Sequence, residues 1–578
     1  MIKILTDKIG EFKRETLLTP FFMICEVALE CIIPTVMAML IDEMTGESLQ
    51  SVIKYGGILL LLAMLSLFCG AKSARYGAIA SNGFAKNLRK DLFYKVQDFS
   101  FEDIDHFSSA SLVTRMTNDV SQIQMAFQML IRMGVRTPLM LIFSIIMALR
   151  INSEMALIFF GLIPFLGIGL YMIFHISHPI FRRIFKKYDA LNNSVQENVA
   201  GIRVVKSFVR EDYEIEKFNR ASEEVRSDFV KAERVLALNN PIQMLCMKIS
   251  KELICYLGAL MIINSASTKL TTGQLSSLIS YGVQILVALS MFSMVFIQLA
   301  FSSEALSRIY EVLTHEPKLF SPENGVKEVK DGSIVFDHVT FRYDPKSKRS
   351  ALDDINLDIK SGQTIGILGS TGSAKTTLIN MISRLYDVSE GAVYVGGVDV
   401  RDYDLKVLRD AVSVVLQKNV LFSGTIKENL RWGNKEATDE EIMEACRLAQ
   451  ADEFIQQMPD KYDTMLTQGG TNVSGGQKQR LCIARALLKK PKVLILDDST
   501  SAVDTKTDAL IRKGFKEYIP ETTKIIIAQR VASVEESDQI IVMDSGRIVE
   551  HGTHEELMKL KGIYKEIYDS QTKGKEEA

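Results

Sequence analysis

Six stretches of the chain are long and apolar enough to lie inside a lipid bilayer. The hydrocarbon core of a bilayer is about 30 Å thick, and a helix needs about 20 residues to cross it. The six stretches cover approximately residues 19–41, 54–76, 133–150, 155–177, 242–265 and 274–300. They predict that the first half of this chain of 578 residues is an all-α membrane domain with six spans.

Lysine and arginine are concentrated in three of the segments that flank these stretches. The basic segments precede the first stretch, follow the second and follow the fourth, and the other connections carry few positive charges. Positively charged loops remain on the cytoplasmic side of a membrane. We therefore expect a multi-pass protein of the inner, cytoplasmic membrane with both termini in the cytoplasm. The basic residues are Lys8, Lys13, Arg14, Lys72, Arg75, Lys86, Arg89, Lys90, Arg182, Arg183, Lys186 and Lys187.

The composition changes near residue 330. Beyond that point, Gly-rich turns separate strand-like from helix-like segments, which is the pattern of a water-soluble α/β domain. We predict a membrane domain over residues 1–313, a linker over residues 314–332 and a nucleotide-binding domain over residues 333–578. The net charge of −2 provides no basic face, so we expect no nucleic-acid partner.

The nucleotide prediction depends on a Gly-rich segment that follows a strand-like run and precedes a helix-like one. Residues 369–376 match the pattern G-x-x-x-x-x-K-[ST], with Ala374 where the consensus has its last glycine. Backbone N–H groups would bind phosphate, Lys375 would neutralise it and Thr376 would bind Mg²⁺. An alanine crowds such a loop if its position requires a positive φ. The candidate ATP-binding residues of this loop are Gly369, Ser370, Thr371, Gly372, Ser373, Ala374, Lys375, Thr376 and Thr377.

Several motifs together resemble those of ABC exporters, specifically the half-transporters of multidrug type. The sequence KVLILDD reads as a buried strand that ends at Asp497, beside the Mg²⁺, and NVSGGQKQR at residues 472–480 is similar to the ABC signature. Residues 107–124 and 196–214 resemble the intracellular loops of that family. The resemblance covers essentially the whole chain. It implies a six-helix transmembrane domain with long cytoplasmic extensions, short coupling helices that dock on ATP-binding domains, and a P-loop ATP-binding cassette.

The resemblance also implies roles for residues outside the phosphate loop. Tyr343 would stack on adenine, and Gln417 would act in catalysis and, with Thr376 and Asp497, at Mg²⁺. The signature of one subunit would contact the γ-phosphate bound to another. The D-loop would run from Ser501 to Asp504. The further ATP-binding residues are Ser474, Gly475, Gly476, Gln477 and Asp504.

Besides Ala374, three positions depart from the family pattern, two of them in the hydrolytic machinery. Asp498 stands where a glutamate usually polarises the attacking water, and Gln529 stands where a histidine usually contacts the γ-phosphate. Glutamine cannot carry a proton or a charge. Gln468 stands where many members of that family have an acidic residue, in a segment that the resemblance implies contacts the coupling loops. We therefore expect the site on this chain to bind ATP and hydrolyse it poorly.

These departures favour one of several possible assemblies. Because sites in this family combine the phosphate loop of one subunit with the signature of another, two identical chains would form two impaired sites. We expect instead a second half-transporter as partner, whose competent site is completed by the intact signature of this chain. A slow homodimer and a deliberately mutated chain are the alternatives. The rival functions are a lipid flippase and, from another class, a nucleotide-gated regulator or channel; an importer is less expected.

The transported compound is not specified by the sequence. Spans rich in Met, Phe and Leu suit small apolar, amphipathic or lipid-like substrates, but this composition is also ordinary for membrane helices. Glu26 and Glu30 share one face of the first span, and Lys248 and Glu252 share one face of the fifth. Charges in a span are costly and are often functional. They would either line a cavity for cationic substrates, pair with other charges, or lie near the membrane interface.

Overall fold

The computed structural model describes residues 6–44, 49–498 and 503–576. The chain divides into two compact units. The first contains residues 1–97 and 108–315, and the second contains residues 98–107 and 316–578. A short piece of the N-terminal half, residues 98–107, thus belongs to the C-terminal unit. The domain boundaries of the sequence analysis, which assign this piece to the membrane domain, stay a prediction.

Long helices make up the first unit. Each of the six apolar stretches lies inside a helix, and four of those helices extend well beyond it because amphipathic turns continue the helical period. The helices are α1 (Lys13–Met44), α2 (Leu49–Gln97), α4 (Ser109–Thr114), α5 (Val120–Ile151), α6 (Ser153–Ala200), α7 (Ile202–Ser207), α8 (Glu211–Leu236), α9 (Asn239–Asn264) and α10 (Thr272–Thr314), with the short α3 (Phe101–Phe107) in the second unit. A π-helical turn, Arg115–Asp119, joins α4 to α5.

Five segments of the described chain are long and apolar enough to cross a membrane, one fewer than the sequence predicts. The difference is α9, which forms as a helix of 26 residues at the predicted fifth span. Every 18-residue stretch of α9 includes the three charged residues Lys248, Lys251 and Glu252, whereas each of the other five segments contains a stretch with at most two. The fifth span is therefore supported by its helical structure and its position in the chain, and less by its apolar character.

Polar contacts join the membrane helices α1, α5 and α10. The guanidinium of Arg136 in α5 lies 2.6 Å from the Glu26 carboxylate and donates two hydrogen bonds, of 2.9 and 2.7 Å, to the Glu30 carboxylate. The Tyr281 hydroxyl of α10 donates to the backbone carbonyl of Cys31 at 2.6 Å. Of the alternatives for Glu26 and Glu30, interhelical ion pairing is the one that the structure contains.

The second unit is an α/β domain with two main sheets. An antiparallel sheet has the strand order β2-β1-β4-β5, and a larger, mostly parallel sheet has the order β12-β11-β3-β10-β9-β6. A third, two-stranded sheet pairs β7 with β8. The strands are β1 (Ile334–Phe341), β2 (Leu352–Ile359), β3 (Thr364–Gly369), β4 (Glu390–Val395), β5 (Val398–Asp399), β6 (Val412–Val415), β7 (Gly424–Thr425), β8 (Met465–Leu466), β9 (Val493–Asp497), β10 (Thr523–Ile527), β11 (Gln539–Asp544) and β12 (Arg547–Gly552).

Helices of this domain cover the larger sheet, whose strands β9 and β10 are buried along their whole length. Such continuous apolar strands are typical of a parallel sheet that is covered on both faces. The helices are α11 (Lys375–Ile382), α12 (Leu405–Ala411), α13 (Ile426–Leu430), α14 (Asp439–Leu448), α15 (Asp452–Gln456), α16 (Gly475–Leu488), α17 (Thr505–Tyr518), α18 (His554–Leu560) and α19 (Ile563–Glu576). The all-α membrane domain followed by an α/β domain confirms the predicted fold class.

The helix α3 packs within the second unit. The Tyr386 hydroxyl donates to the Asp105 carboxylate at 2.7 Å, and the rings of Phe101 and Tyr386 lie 6.3 Å apart. This helix lies just before the first loop that resembles the intracellular loops of exporters. Short helices also form inside both of those loops, α4 in the first and α7 in the second. Docking of α4 and α7 on an ATP-binding domain stays a prediction.

Candidate nucleotide-binding site

The predicted site residues meet at one edge of the larger sheet. The strands β3, β9 and β10 are parallel neighbours, so their carboxyl ends lie side by side. The phosphate loop follows β3, Asp497 ends β9 and Asp498 follows it, and Gln529 comes two residues after β10. Ligands of such sheets bind outside the carboxyl ends of the strands. The topology therefore brings together residues that are far apart in the sequence.

The phosphate loop requires unusual backbone conformations at two positions. Gly369 has φ +153°, and a Cβ there would lie 2.3 Å from the carbonyl oxygen of Met543, so only glycine fits. Ala374, the residue before α11, has φ +73° and ψ +23°, which is the left-handed region. An L-residue with a Cβ pays roughly 1–2 kcal/mol there. The glycine that the consensus has at this position would adopt the same conformation without that strain.

Lys375, the first residue of α11, points its ammonium group back over the loop. The Nζ atom donates to the carbonyl oxygens of Gly369 and Ser370, both at 2.8 Å, and lies 3.3 Å from the Ser373 hydroxyl. Burial lowers the pKa of Lys375. A loop that orients a cation beside a helix N-terminus is suited to binding an oxyanion such as a phosphate.

Thr376 and Asp497 form the candidate metal site. The Thr376 hydroxyl donates to the Asp497 carboxylate at 2.9 Å, and burial raises the pKa of Asp497 while this hydrogen bond lowers it. Within the described parts of the chain, no cluster of three or more His, Cys, Asp or Glu side chains could hold a metal. Mg²⁺ normally needs only one or two carboxylates together with substrate phosphates and water. The hydroxyl and carboxylate therefore fit Mg²⁺ as a partner of a nucleotide.

Asp498 lies between the two glutamines of the site. Its carboxylate accepts a hydrogen bond of 2.9 Å from the Gln529 amide and one of 3.5 Å from the Gln417 amide. Burial raises the pKa of Asp498, and the two amides counteract that rise because they stabilise the ionised form. The backbone of Asp498 is itself in the left-handed region, with φ +47°. The two departures in the predicted hydrolytic machinery, Asp498 and Gln529, thus bond to each other.

Tyr343 stands at the mouth of a cleft of about 680 Å³. Half of Tyr343 is exposed, and its hydroxyl lies 3.0 Å from that of Thr377. Eleven predicted residues line the cleft: Tyr343, Thr371, Gly372, Ala374, Lys375, Thr376, Thr377, Gln417, Asp497, Asp498 and Gln529. Gly369 and Ser370 line an adjoining cavity of about 370 Å³, and Ser373 is buried within the loop.

The sequence analysis missed part of the cleft wall. The segment after Tyr343 and the turn between β11 and β12 also line the cleft. The polar, Pro-containing run that follows Tyr343 was a signal for a loop beside the site, whereas nothing local marked the turn after β11. The missed residues are Asp344, Ser347, Arg349, Ser350, Ala351, Ile527, Ser545 and Gly546.

The signature residues lie apart from this cleft. Ser474 caps α16, accepting a hydrogen bond from the backbone N–H of Gln477, and the Gln477 side chain accepts one from the N–H of Ser474. Ser474 and Gly475 are exposed, and Gly476 and Gln477 are half-buried. None of these four is among the described residues that line the cleft. The capped N-terminus of α16 is thus exposed at the surface of this chain.

Asp504 also caps a helix and does not reach the cleft. Its carboxylate accepts hydrogen bonds from the backbone N–H and the hydroxyl of Thr507, at 2.9 and 2.7 Å, and these hold the pKa of Asp504 below its usual value. The D-loop residues Ser501 and Ala502 lie outside the described residues. Gln468 begins a short 3₁₀ turn, Gln468–Gly470, before the signature.

The fold and the site define a membrane protein whose C-terminal domain is a P-loop nucleotide-binding domain. A model of ABC transporter transmembrane regions matches residues 16–298, and a model of ABC transporters matches residues 352–501. Over 550 residues, 95% of both chains, the chain is 38% identical to the uncharacterized ABC transporter ATP-binding protein YfiB of Bacillus subtilis. The chain therefore belongs to the ABC transporter family, with a transmembrane domain and an ATP-binding domain in one polypeptide.

Two further similarities extend over most of the chain. An ATP-dependent lipid A-core flippase of Desulfotalea psychrophila is 31% identical over 487 residues, which is 84% of either chain. The structure of a bacterial Atm1-family ABC exporter with ATP bound superimposes with a TM-score of 0.84 over 97% of this chain and 99% of that one. At 23% identity, this second likeness concerns the fold alone. The chain thus has the fold of an ABC exporter half-transporter.

Proposed function

We propose that this chain is one half of a heterodimeric ABC exporter of the cytoplasmic membrane. It exports small apolar or amphipathic compounds and has an impaired hydrolytic site on its own phosphate loop. Its signature completes the competent site of the partner subunit. Both termini and the ATP-binding domain lie in the cytoplasm, as the distribution of Lys and Arg predicts.

The observation that carries the proposal is the pairing of Asp498 with Gln529. The Gln529 amide donates a 2.9 Å hydrogen bond to one carboxylate oxygen of Asp498, the residue directly after the proposed Mg²⁺-binding Asp497. A general base must reach the proton of the attacking water, and aspartate is one methylene shorter than the glutamate of the family pattern. General-base assistance is worth about 10² to 10⁴ in rate, so its loss makes hydrolysis slow while binding persists.

The remaining residues of the cleft serve binding. Lys375 and the loop N–H groups hold the phosphates, Tyr343 stacks on adenine, and Thr376, Asp497 and Gln417 hold Mg²⁺. When bound, Mg²⁺ neutralises phosphate charge. ATP that stays in this site stabilises the closed arrangement of the two ATP-binding domains. This stabilisation cannot exceed the difference between the binding free energies of ATP for the closed and the open arrangement.

The separation of signature and cleft supports the need for a partner. Ser474 already accepts the hydrogen bond from Gln477, but its hydroxyl proton and the N-terminus of α16 remain available to an incoming γ-phosphate. Since Ser474 lies outside the cleft of its own chain, a second subunit has to bring a nucleotide to it. Two copies of this chain would close two impaired sites, which is why we favour a different partner.

A lipid flippase is the second candidate. It is favoured by the 31% identity to the lipid A-core flippase over 84% of the chain. Flipping and export share the cycle and the nucleotide sites, so the two functions differ only in the compound that enters the membrane domain. Stimulation of ATPase activity by lipids rather than by hydrophobic drugs would favour the flippase.

Purification of the chain alone, and together with the product of a neighbouring gene where that gene encodes a second half-transporter, tests the proposal. We expect ATP turnover from the pair only, and its loss when the glutamate of the partner is changed to glutamine. Comparable turnover by this chain alone would show that Asp498 is an adequate base and would replace the heterodimer with a homodimer. Turnover that no substrate stimulates would favour the nucleotide-gated regulator or channel.

A further inference from the structure

One side chain from outside the cleft holds the loop that carries Gln529. Gln571 of α19 donates its Nε2 proton to the backbone carbonyl of Gln529 at 2.8 Å. Its Oε1 atom accepts a hydrogen bond of 2.9 Å from the backbone N–H of Val531. The Gln571 amide therefore bonds to the carbonyl of Gln529 and to the N–H of Val531. A neighbouring strand in a β-sheet would bond to backbone groups two residues apart in the same way.

The segment that Gln571 holds lies outside the strands and helices, and its other backbone hydrogen bonds among the described residues run from Ala528 to Ile367, at 3.3 Å, and from Ser533 to Arg530, at 3.1 Å. Residues 528–530 lie between the end of β10 and the 3₁₀ turn Val531–Ser533 and are in neither strand nor helix. From this segment the Gln529 side chain turns to Asp498, to which it donates at 2.9 Å. A continuous set of hydrogen bonds thus runs from α19 through the backbone of Gln529 to the carboxylate in the cleft.

The helix that supplies Gln571 is firmly anchored. The Glu550 carboxylate accepts hydrogen bonds from the N–H groups of Ile563 and Tyr564, at 2.5 and 3.0 Å, and so caps the start of α19. Tyr564 is fully buried, and its hydroxyl lies 2.6 Å from Nδ1 of His554. Gln571 follows seven residues later, about two helical turns, and so lies on the same face of α19 as Tyr564.

We propose that Gln571 is a positioning residue for Gln529. By fixing the backbone on both sides of the Gln529 side chain, it holds the amide toward Asp498 and toward a γ-phosphate bound in the cleft. This inference rests on the proposed role of Gln529 at the nucleotide. It assigns to α19, whose Ile563 and Ile567 also line the cavity beside the phosphate loop, an effect on how long ATP stays in this site.

A double-mutant cycle tests the inference on the full chain. The dissociation of a fluorescent nucleotide, mant-ATP with Mg²⁺, is followed by stopped flow for Gln571→Ala, Gln529→Ala and the double variant. We expect Gln571→Ala to accelerate dissociation by between about 2-fold and 12-fold, the range for one net hydrogen bond. In the Gln529→Ala background, Gln571→Ala should add nothing, because its target is already absent.

Two further variants separate positioning from general damage to α19. Gln571→Glu keeps an acceptor for the Val531 N–H but loses the donor to the Gln529 carbonyl. We therefore expect it to accelerate mant-ATP dissociation by less than Gln571→Ala does. Thr572→Ala is the matched control, since among the described residues the Thr572 hydroxyl bonds to the Tyr568 carbonyl of the same helix, at 2.8 Å, and dissociation should not change.

The outcomes distinguish a failure of this inference from a failure of the proposed function. If Gln529→Ala accelerates dissociation and Gln571→Ala does not, the positioning role is wrong and the role of Gln529 stands. Equal effects of Gln571→Ala in both backgrounds would also overturn positioning, because they would reflect loss of structure alone. If Gln529→Ala itself has no effect, the role of Gln529 at the nucleotide fails and the inference fails with it.

Discussion

Ala374 places a Cβ in the left-handed region at the point where the phosphate loop enters α11. We predict that Ala374→Gly raises the stability of the ATP-binding domain by about 1 kcal/mol, because relief of strain at positive φ exceeds the entropy that glycine gains in the unfolded chain. Nucleotide affinity should rise as well, since the loop adopts its binding conformation without strain. Thermal unfolding and nucleotide titration measure both changes.

Ala509 provides a control at which the same change, alanine to glycine, should lower the stability of the domain. It is exposed inside α17, where glycine is less favourable than alanine by about 1 kcal/mol. Ala509→Gly should therefore destabilise the domain and leave nucleotide affinity unchanged. A loss of stability in Ala374→Gly as well would show that the left-handed conformation of this residue carries no strain.

The pH dependence of slow hydrolysis at this site reports on Asp498. A carboxylate accepts a proton only when ionised, so the rate should rise with pH through the pKa of Asp498, which burial raises. Gln529→Leu removes a hydrogen bond to the ionised form. The pKa of Asp498 should then rise further, and the acid limb of the rate-against-pH profile should move to higher pH. Turnover is measured in the pair whose partner carries the glutamate-to-glutamine change.

Asp498→Asn is the control for this profile, because it removes the titrating group and should abolish the acid limb. If Gln529→Leu leaves the limb where it is, the 2.9 Å hydrogen bond does not influence the titration of Asp498. A limb that persists in Asp498→Asn would assign the titration to another group.

At the residue scale, much of the site could be predicted because phosphate chemistry requires fixed residue types at fixed spacings. The run from Gly369 to Thr377, Asp497 and the unusual pair Asp498 and Gln529 all follow from such patterns. Gln571 could not be predicted in this way. It lies 42 residues after Gln529, on an amphipathic helix whose sequence does not specify what its exposed face meets.

At the scale of elements, a charged cluster couples two membrane helices. Arg136 of α5 pairs with Glu26 and Glu30 of α1, and all three side chains are mostly buried. We predict that Arg136→Met destabilises the membrane domain by about 3–5 kcal/mol, because two buried carboxylates lose their counter-charge. Thermal unfolding of the detergent-solubilised protein measures the loss.

Changing Glu26, Glu30 and Arg136 together to methionine should restore most of that stability, since buried ion clusters are often replaceable by apolar groups. A triple variant as unstable as Arg136→Met would contradict the ion-pair interpretation. If the triple variant is stable but no longer responds to cationic substrates, the same carboxylates also face the substrate path.

The helices themselves were predictable from hydropathy, and their contacts were not. Apolar runs fix where α1 and α10 lie along the chain, but the pairing of Glu30 with Arg136 depends on the relative rotation of α1 and α5, which no local pattern contains. The helix α3 shows the same limit. Six of its seven residues precede the recognisable loop motif, and its contacts with Tyr386, through Phe101 and Asp105, show that it packs within the second unit.

At the scale of the whole molecule, ATP turnover of the proposed exporter should depend strongly on the signature of this chain and weakly on its phosphate loop. We predict that Ser474→Ala lowers ATP turnover of the pair by about 10- to 100-fold, the range for a hydrogen bond to a charged group. Lys375→Ala weakens ATP binding at the slow site, so the pair should keep most of its turnover. Steady-state ATPase assays of the two variant pairs measure this asymmetry.

Ser474 also caps α16, and Ser→Ala at such a position costs about 0.5–2 kcal/mol of stability. Ser474→Asp separates the two roles, because aspartate caps a helix as well as serine but cannot donate a hydrogen bond and repels a phosphate. If turnover falls with aspartate as it does with alanine, Ser474 acts on the nucleotide of the partner. If aspartate preserves turnover, the serine serves only its own helix, and the competent site does not need this signature.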